Sequence, residues 1–134
     1  MKKWAGALLI EKSGKAILQK RDNNTEITNP GKITLFGGEV EFGETEEGCF
    51  KREIKEEVDL AVSDFSYLGL YQKRSATHGE DCDCYVYLVE NIDLKKIKVS
   101  EGQGYVLISA KDNYLTEKYS LITQSVLSDY FRNL

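Results

Sequence analysis

Thr45-Glu46-Glu47-Gly48-Cys49-Phe50-Lys51-Arg52-Glu53-Ile54-Lys55-Glu56-Glu57-Val58 is where the apolar period of this chain changes, and the rest of the reading turns on it. Phe50, Ile54 and Val58 recur at helical spacing, Lys51 and Lys55 fall away from that stripe, and Thr45 followed by Glu46 and Glu47 offers a hydroxyl N-cap with an acidic first turn. The spacing predicts an amphipathic helix over 45–58. On that helix Glu53, Glu56 and Glu57 stand at i, i+3 and i+4, which gathers their carboxylates into an arc of roughly 100°. Like charges so placed repel, and more strongly when partly buried. Arg52 can offset one of them, whereas Lys51 and Lys55 point elsewhere. A hard divalent cation would offset the rest, since carboxylate oxygens are the ligands Mg²⁺ and Mn²⁺ prefer. Charge-rich helix faces are usually solvated surface, however, so the cluster alone does not establish a metal site.

Working outward, Trp4–Ile10 and Ala16–Arg21 read as paired strands joined by a turn through Glu11–Lys15. Asp22–Gly31, polar and ending in Asn29-Pro30-Gly31, reads as a loop, and Ile33–Phe36 as one short strand running into Gly37-Gly38. Beyond the helix, Phe65–Lys73, Cys82–Val89 and Tyr105–Ser109 are strand candidates. From about Glu117 a terminal helix is expected, with Tyr119, Ile122, Val126 and Tyr130 on its buried face. Strands, a helix, more strands and a closing helix predict a mixed sheet covered by helices. Gly37-Gly38 before the central helix, and Gly43-Glu44 at its start, allow tight turns and bring backbone amides and carbonyls close to a ligand.

These residues resemble the Nudix box, G-x5-E-x7-R-E-U-x-E-E-x-G-U with U aliphatic. The chain reads Gly38, Glu44, then Arg52-Glu53-Ile54-Lys55-Glu56-Glu57-Val58-Asp59-Leu60, and departs from the pattern only at Asp59. Chance agreement at the other positions is on the order of one in 10⁵. Asp59 stands where the family glycine ends the helix, and Asp tolerates a left-handed backbone better than most residues.

The resemblance implies an α/β fold, the Nudix-type α/β/α sandwich with a mixed β-sheet, a central catalytic helix and a C-terminal helix, formed by residues 1–134 as one domain. It implies a Mg²⁺-dependent (or Mn²⁺-dependent) pyrophosphohydrolase in which the box glutamates hold the cation against a diphosphate. Glu56 and Glu57 are then the first metal ligands, Glu53 the next, and the Gly38 carbonyl a further one. Arg52 and Glu44 would orient the carboxylates. Glu101, in a glycine-flanked polar loop, is the candidate general base; an exposed loop carboxylate is the competing reading. Arg21 is either a phosphate contact or a solvated strand-end arginine, and Phe36 either packs beneath the loop or borders the substrate. Glu57 is taken as a surface carboxylate, of little weight for stability.

Composition narrows the function further. A formal charge of -4 argues against a nucleic-acid polymer as partner, and a small nucleotide bound through a cation remains compatible with it. No apolar run is long enough to span a membrane. The N-terminal stretch reads as a strand, not a signal peptide, because Glu11 and Lys12 interrupt it. Cys49, Cys82 and Cys84, an odd set, suit a reducing cytoplasm. A zinc site from His78, Cys82 and Cys84 is disfavoured, being one ligand short. The expected substrate is a nucleoside triphosphate, normal or oxidised, released as monophosphate and pyrophosphate. Nucleotide sugars or ADP-ribose, and a non-catalytic nucleotide sensor, are the alternatives. Ser75, Ala76 and Thr77 occupy the stretch where ADP-ribose and dinucleotide-polyphosphate enzymes carry a marker proline or tyrosine, which favours the triphosphate.

Overall fold

The computed structural model describes residues 2–21, 31–74, 81–99 and 104–134. A mixed sheet is built on β1 (Lys2–Glu11), which is buried from Ala5 to Glu11 because both of its faces are covered. Along one edge β1 runs parallel to β6 (Cys82–Ile92), from Lys2 opposite Cys82 to Leu9 opposite Val89, and β5 (Ser66–Lys73) closes that side antiparallel to β6.

The other edge of β1 is shared. Trp4–Ala7 pair with β4 (Phe36–Glu39), whereas Leu9 and Ile10 pair with β2 (Ala16–Lys20). β3 (Ile33–Thr34) pairs with β2, and β7 (Tyr105–Ile108) lies on the far side of β2. The stretch expected as one strand, Ile33–Phe36, is therefore two: the chain leaves β2 and joins β1 at Leu35. There the backbone N–H of Leu35 is taken by the hydroxyl of Thr123 at 3.2 Å instead of by a strand.

The central helix α1 (Glu46–Val58) matches the expected span. Its N-cap hydroxyl, Thr45 Oγ1, accepts from the Gly48 N–H. At the other end Asp59 adopts the left-handed conformation, φ 57° and ψ 39°, and its N–H donates to the Lys55 carbonyl. Cys49, Phe50, Ile54 and Val58 bury against Ala5, Ala7, Leu9, Ile17 and Phe36 on one face of the sheet. Phe50 stacks on Tyr87 with centroids 4.4 Å apart and meets Phe65 edge-on at 5.3 Å. Burying each of the large side chains in this stripe contributes about 1.5–3 kcal/mol.

The closing helix α2 (Leu121–Arg132) covers the opposite face, over Leu8, Ile10, Leu18, Leu35 and Val86. It begins later than expected, because residues 118–120 serve the sheet first: the Ile33 N–H donates to the Lys118 carbonyl at 2.8 Å and the Ser120 N–H to the Ile33 carbonyl at 3.2 Å. Its buried residues are Thr123, Val126, Leu127 and Phe131, a stripe rotated from the expected one. Tyr119 precedes the helix, and Ile122 and Tyr130 are half-buried at its flank. Among the described residues, no helix is long and apolar enough to cross a membrane.

Two glycines in facing strands are fixed by packing. A Cβ on Gly6 would lie 2.3 Å from the Trp4 ring, and one on Gly37 2.4 Å from it, so the indole lies over a strip of bare backbone.

Candidate metal centre

Strand β4 delivers Gly38 to the underside of α1. Its neighbours alternate, so Phe36 and Gly38 face the helix while Gly37 faces away toward Trp4. A Cβ on Gly38 would sit 2.3 Å from the Glu53 carboxyl carbon, so the carboxylate rests directly on the peptide backbone, and a side chain at 38 would displace it. The Gly38 carbonyl accepts from Cys49 Sγ at 3.6 Å, and burial pushes the Cys49 thiol up to about 12.

Arg52 organises the acidic groups around this point. Its Nε and Nη2 hold Glu44 in a two-pronged pair at 2.6 and 2.9 Å, and Nη1 reaches Glu53 at 2.9 Å and Glu56 at 3.3 Å. Glu41 lies within 3.6 Å of Nη2. The guanidinium hydrogen bond, followed by the N–H of Glu41, draws the Glu44 carboxyl down to about 2. The same pairing with Glu44 raises Arg52 itself above its usual value. Arg52 and Glu44 thus form a bidentate ion pair, the stronger kind of charge-assisted contact.

Several expectations need correction. Glu57 is not a surface carboxylate: it is 6% exposed, with its Oε1 fully enclosed, whereas the Glu56 side chain is 58% exposed. Among the described residues, no three acidic, Cys or His side chains are grouped closely enough to hold an ion as they stand. The reason is Arg52, which takes Glu53 and Glu56 together as their counter-charge. Phe36 is fully buried among Ala5, Ala7, Phe50 and Ile54, so it packs and does not border a substrate. Gly37 answers to Trp4 on the other face. Arg21 is half-buried, with Nε enclosed, and so is not a solvated strand end. Glu101 and His78 lie outside the described residues. Cys82 and Cys84 bring their sulfurs to 3.9 Å, and both are free thiols.

The donor chemistry suits a hard divalent cation all the same. Glu53 and the Gly38 backbone are in contact, Glu57 is buried on the same helix face one turn on, and all three offer oxygen.

Two residues escaped the sequence reading. Gln19 and Thr34 are 3% and 7% exposed, lie directly opposite each other across β2 and β3, and face α1 with Ile17. The available signal was Gln19, a polar residue at a core-facing position of an alternating strand.

The profile of the NUDIX domain matches residues 2–112. The chain belongs to the NUDIX family. Across 63 residues, 47% of this chain and 36% of its counterpart, it is 48% identical to a protein of Methanocaldococcus jannaschii named ADP-ribose pyrophosphatase, so the match spans about a third of that relative. A MutT NUDIX hydrolase from Burkholderia pseudomallei superposes with a TM-score of 0.79 at 25% identity, covering 95% of each chain. A MutT protein from Methanosarcina mazei gives 0.83 at 21% identity, over 98% of this chain and 94% of the other. The α/β/α sandwich of the NUDIX family is thus the fold of this protein.

Proposed function

We propose that this NUDIX protein is a Mg²⁺-dependent pyrophosphohydrolase that splits a phosphoanhydride bond in a nucleoside-diphosphate-linked substrate, most simply a nucleoside triphosphate, normal or oxidised, to the monophosphate and pyrophosphate. The observation that carries this reading is the seat of the Glu53 carboxylate on the bare backbone of Gly38, with the enclosed Glu57 one turn on. Glu53, Glu57 and the Gly38 carbonyl would hold the cation, and Glu56 would complete the set from the solvent side. When bound, such an ion neutralises phosphate charge and lowers the pKa of a bound water. Arg52 and Glu44 fix the carboxylate positions, since the bidentate pair immobilises the guanidinium that Glu53 and Glu56 share. Glu101 stands as the proposed base.

ADP-ribose is a second reading, favoured by the name of the M. jannaschii relative and opposed by Ser75, Ala76 and Thr77. A pure nucleotide sensor is disfavoured, because a binding module would have no need to retain three glutamates on one helix face.

The test is a panel of nucleoside triphosphates, nucleotide sugars and ADP-ribose with Mg²⁺, following pyrophosphate, phosphate and monophosphate. Release of pyrophosphate from triphosphates is expected. Turnover of ADP-ribose alone would replace the first reading by the second, and turnover of nothing in the panel would end both.

A further inference from the structure

Cys82 and Cys84 stand two residues apart on β6 and turn to the same side as Val86, the α2 face of the sheet, away from the acidic helix. Their sulfurs are 3.9 Å apart, and both are free thiols. The strands on either side give each cysteine its own surroundings. Cys82, half-buried at the first position of β6, is opposite Lys2 of β1 and Lys73 of β5. Cys84 is 6% exposed and is opposite Trp4 and Tyr71. An outer cysteine flanked by two lysines thus leads to an inner one flanked by two aromatic residues. Burial, followed by the charge of Cys82, holds the Cys84 thiol above its ordinary value, so it keeps its proton until something displaces it.

Two chemistries can join a pair of thiols, and geometry separates them. A disulfide needs Cβ atoms about 3.8 Å apart and sulfurs at about 2.05 Å. Side chains at i and i+2 of an extended strand project side by side from Cα atoms about 6.5 Å apart, and ladders on both sides hold β6 extended here. A soft metal ion asks for less movement. Metal–thiolate bonds of about 2.3 Å let two sulfurs share an ion at separations up to about 4.6 Å, and 3.9 Å lies within that span. Zinc would want two further ligands, and among the described residues no third acidic, Cys or His side chain is grouped with the pair closely enough to hold an ion. A soft monovalent cation is satisfied by two thiolates. We propose that Cys82 and Cys84 form a two-thiolate site for such a cation, copper(I), on the α2 face of the sheet. On binding, each S–H bond gives way to a copper–sulfur bond and the two protons pass to solvent; copper stays monovalent and nothing is oxidised. The product carries one net negative charge, which Lys2 and Lys73 offset. The oxygen ligands of α1 suit a hard ion and lie on the other face, so this site is independent of the hydrolase reading.

The experiment titrates wild type, Cys82→Ser and Cys84→Ser, without oxygen and with ascorbate as reductant, into the coloured copper(I)–bicinchoninate complex, whose fading reports the copper withdrawn. Wild type is expected to withdraw about one equivalent per chain. Each variant should bind at least about a hundredfold more weakly, since losing a ligand costs more than the 10–100-fold of a partner behind it. Copper(I) should also raise the melting temperature of wild type and leave that of Cys82→Ser unchanged. Cys82 is only half-buried, so this variant carries the test should Cys84→Ser fail to fold. Wild type that leaves the copper on the chelator overturns the site, and so does Cys82→Ser that binds as tightly as wild type. Zinc held as tightly as copper(I) overturns the two-ligand assignment. A Cys82–Cys84 disulfide formed with dilute hydrogen peroxide and mapped by mass spectrometry also overturns it, by showing that the strand lets the sulfurs close. None of these outcomes depends on turnover, so the copper site and the hydrolase reading fail separately.

Discussion

The two faces of the sheet treat buried polar groups in opposite ways. On the α2 side they close on one another. Thr123 Oγ1 accepts the Leu35 N–H and lies 2.7 Å from Ser120 Oγ, and Gln124 donates to the carbonyls of Thr116 and Tyr119. At the exposed rim of that face, Tyr71 donates to Asp129 at 2.6 Å and Tyr130 to Glu90 at 2.9 Å. On the α1 side Thr34 and Arg21 present polar atoms with no partner among the described residues, and one guanidinium is shared by several carboxylates. Thr34 and Thr123 make the contrast sharpest: both are buried hydroxyls, and among the described residues only the second has a hydrogen-bond partner. Among the described residues, the α2 face closes its polar groups on one another, whereas the α1 face leaves two of them without a partner.

That contrast can be broken from either side. Glu57→Gln should cost the most, lowering turnover by more than about a hundredfold, beyond the 10–100-fold typical of outer-shell partners. Near-wild-type pyrophosphate release in that variant would take Glu57 out of the metal set. Next, Arg52→Gln should reduce kcat by about 10–100-fold, because the carboxylates lose both their orientation and their counter-charge. It should also melt at a higher temperature in Mg²⁺ than in chelator by a wider margin than wild type does, which differential scanning would register. On the other face, Thr123→Val should leave KM and kcat alone but destabilise by about 1–3 kcal/mol in urea denaturation, since the Leu35 N–H is stranded. A smaller effect concerns acid. Glu44 has its carboxyl held below the ordinary value of 4.5, at about 2, so its contribution to stability is complete above the higher value and fades as pH falls toward the lower. Melting temperatures recorded from pH 5 to pH 2 should decline less steeply for Glu44→Gln than for wild type; parallel declines would deny the Arg52–Glu44 pair that role. The smallest expected change is Asp59→Gly. Relief of the left-handed backbone outweighs loss of the exposed Lys55–Asp59 pair, for a gain of about 0.5 kcal/mol in the same urea assay.

Much of the α1 face could be read without coordinates, because its determinants are local. The Thr45 cap, the Phe50–Ile54–Val58 stripe and the left-handed Asp59 each involve residues a turn or two apart. The strand exchange at Leu35 could not, since Ile33-Thr34-Leu35-Phe36 is one apolar-leaning run and nothing in it reveals that the pairing edge changes. Thr123 was equally hidden: its partner is 88 residues away, and a threonine among Ile122, Val126 and Leu127 carries no mark of being inside. Glu57 was misjudged because charge was taken to mean solvent. The box motif pointed to α1 and its glutamates, while which of them is enclosed depends on how β4 lies beneath them.

Trp4 carries a practical consequence. The chain has no other tryptophan, and this one lies against Gly6 and Gly37, with Gly37 bonded in sequence to the residue that seats Glu53. Any shift of that peptide when an ion or nucleotide arrives moves the surface on which the indole rests, so its emission is an unlabelled optical gauge of the loop, read on the opposite side of the sheet from the chemistry.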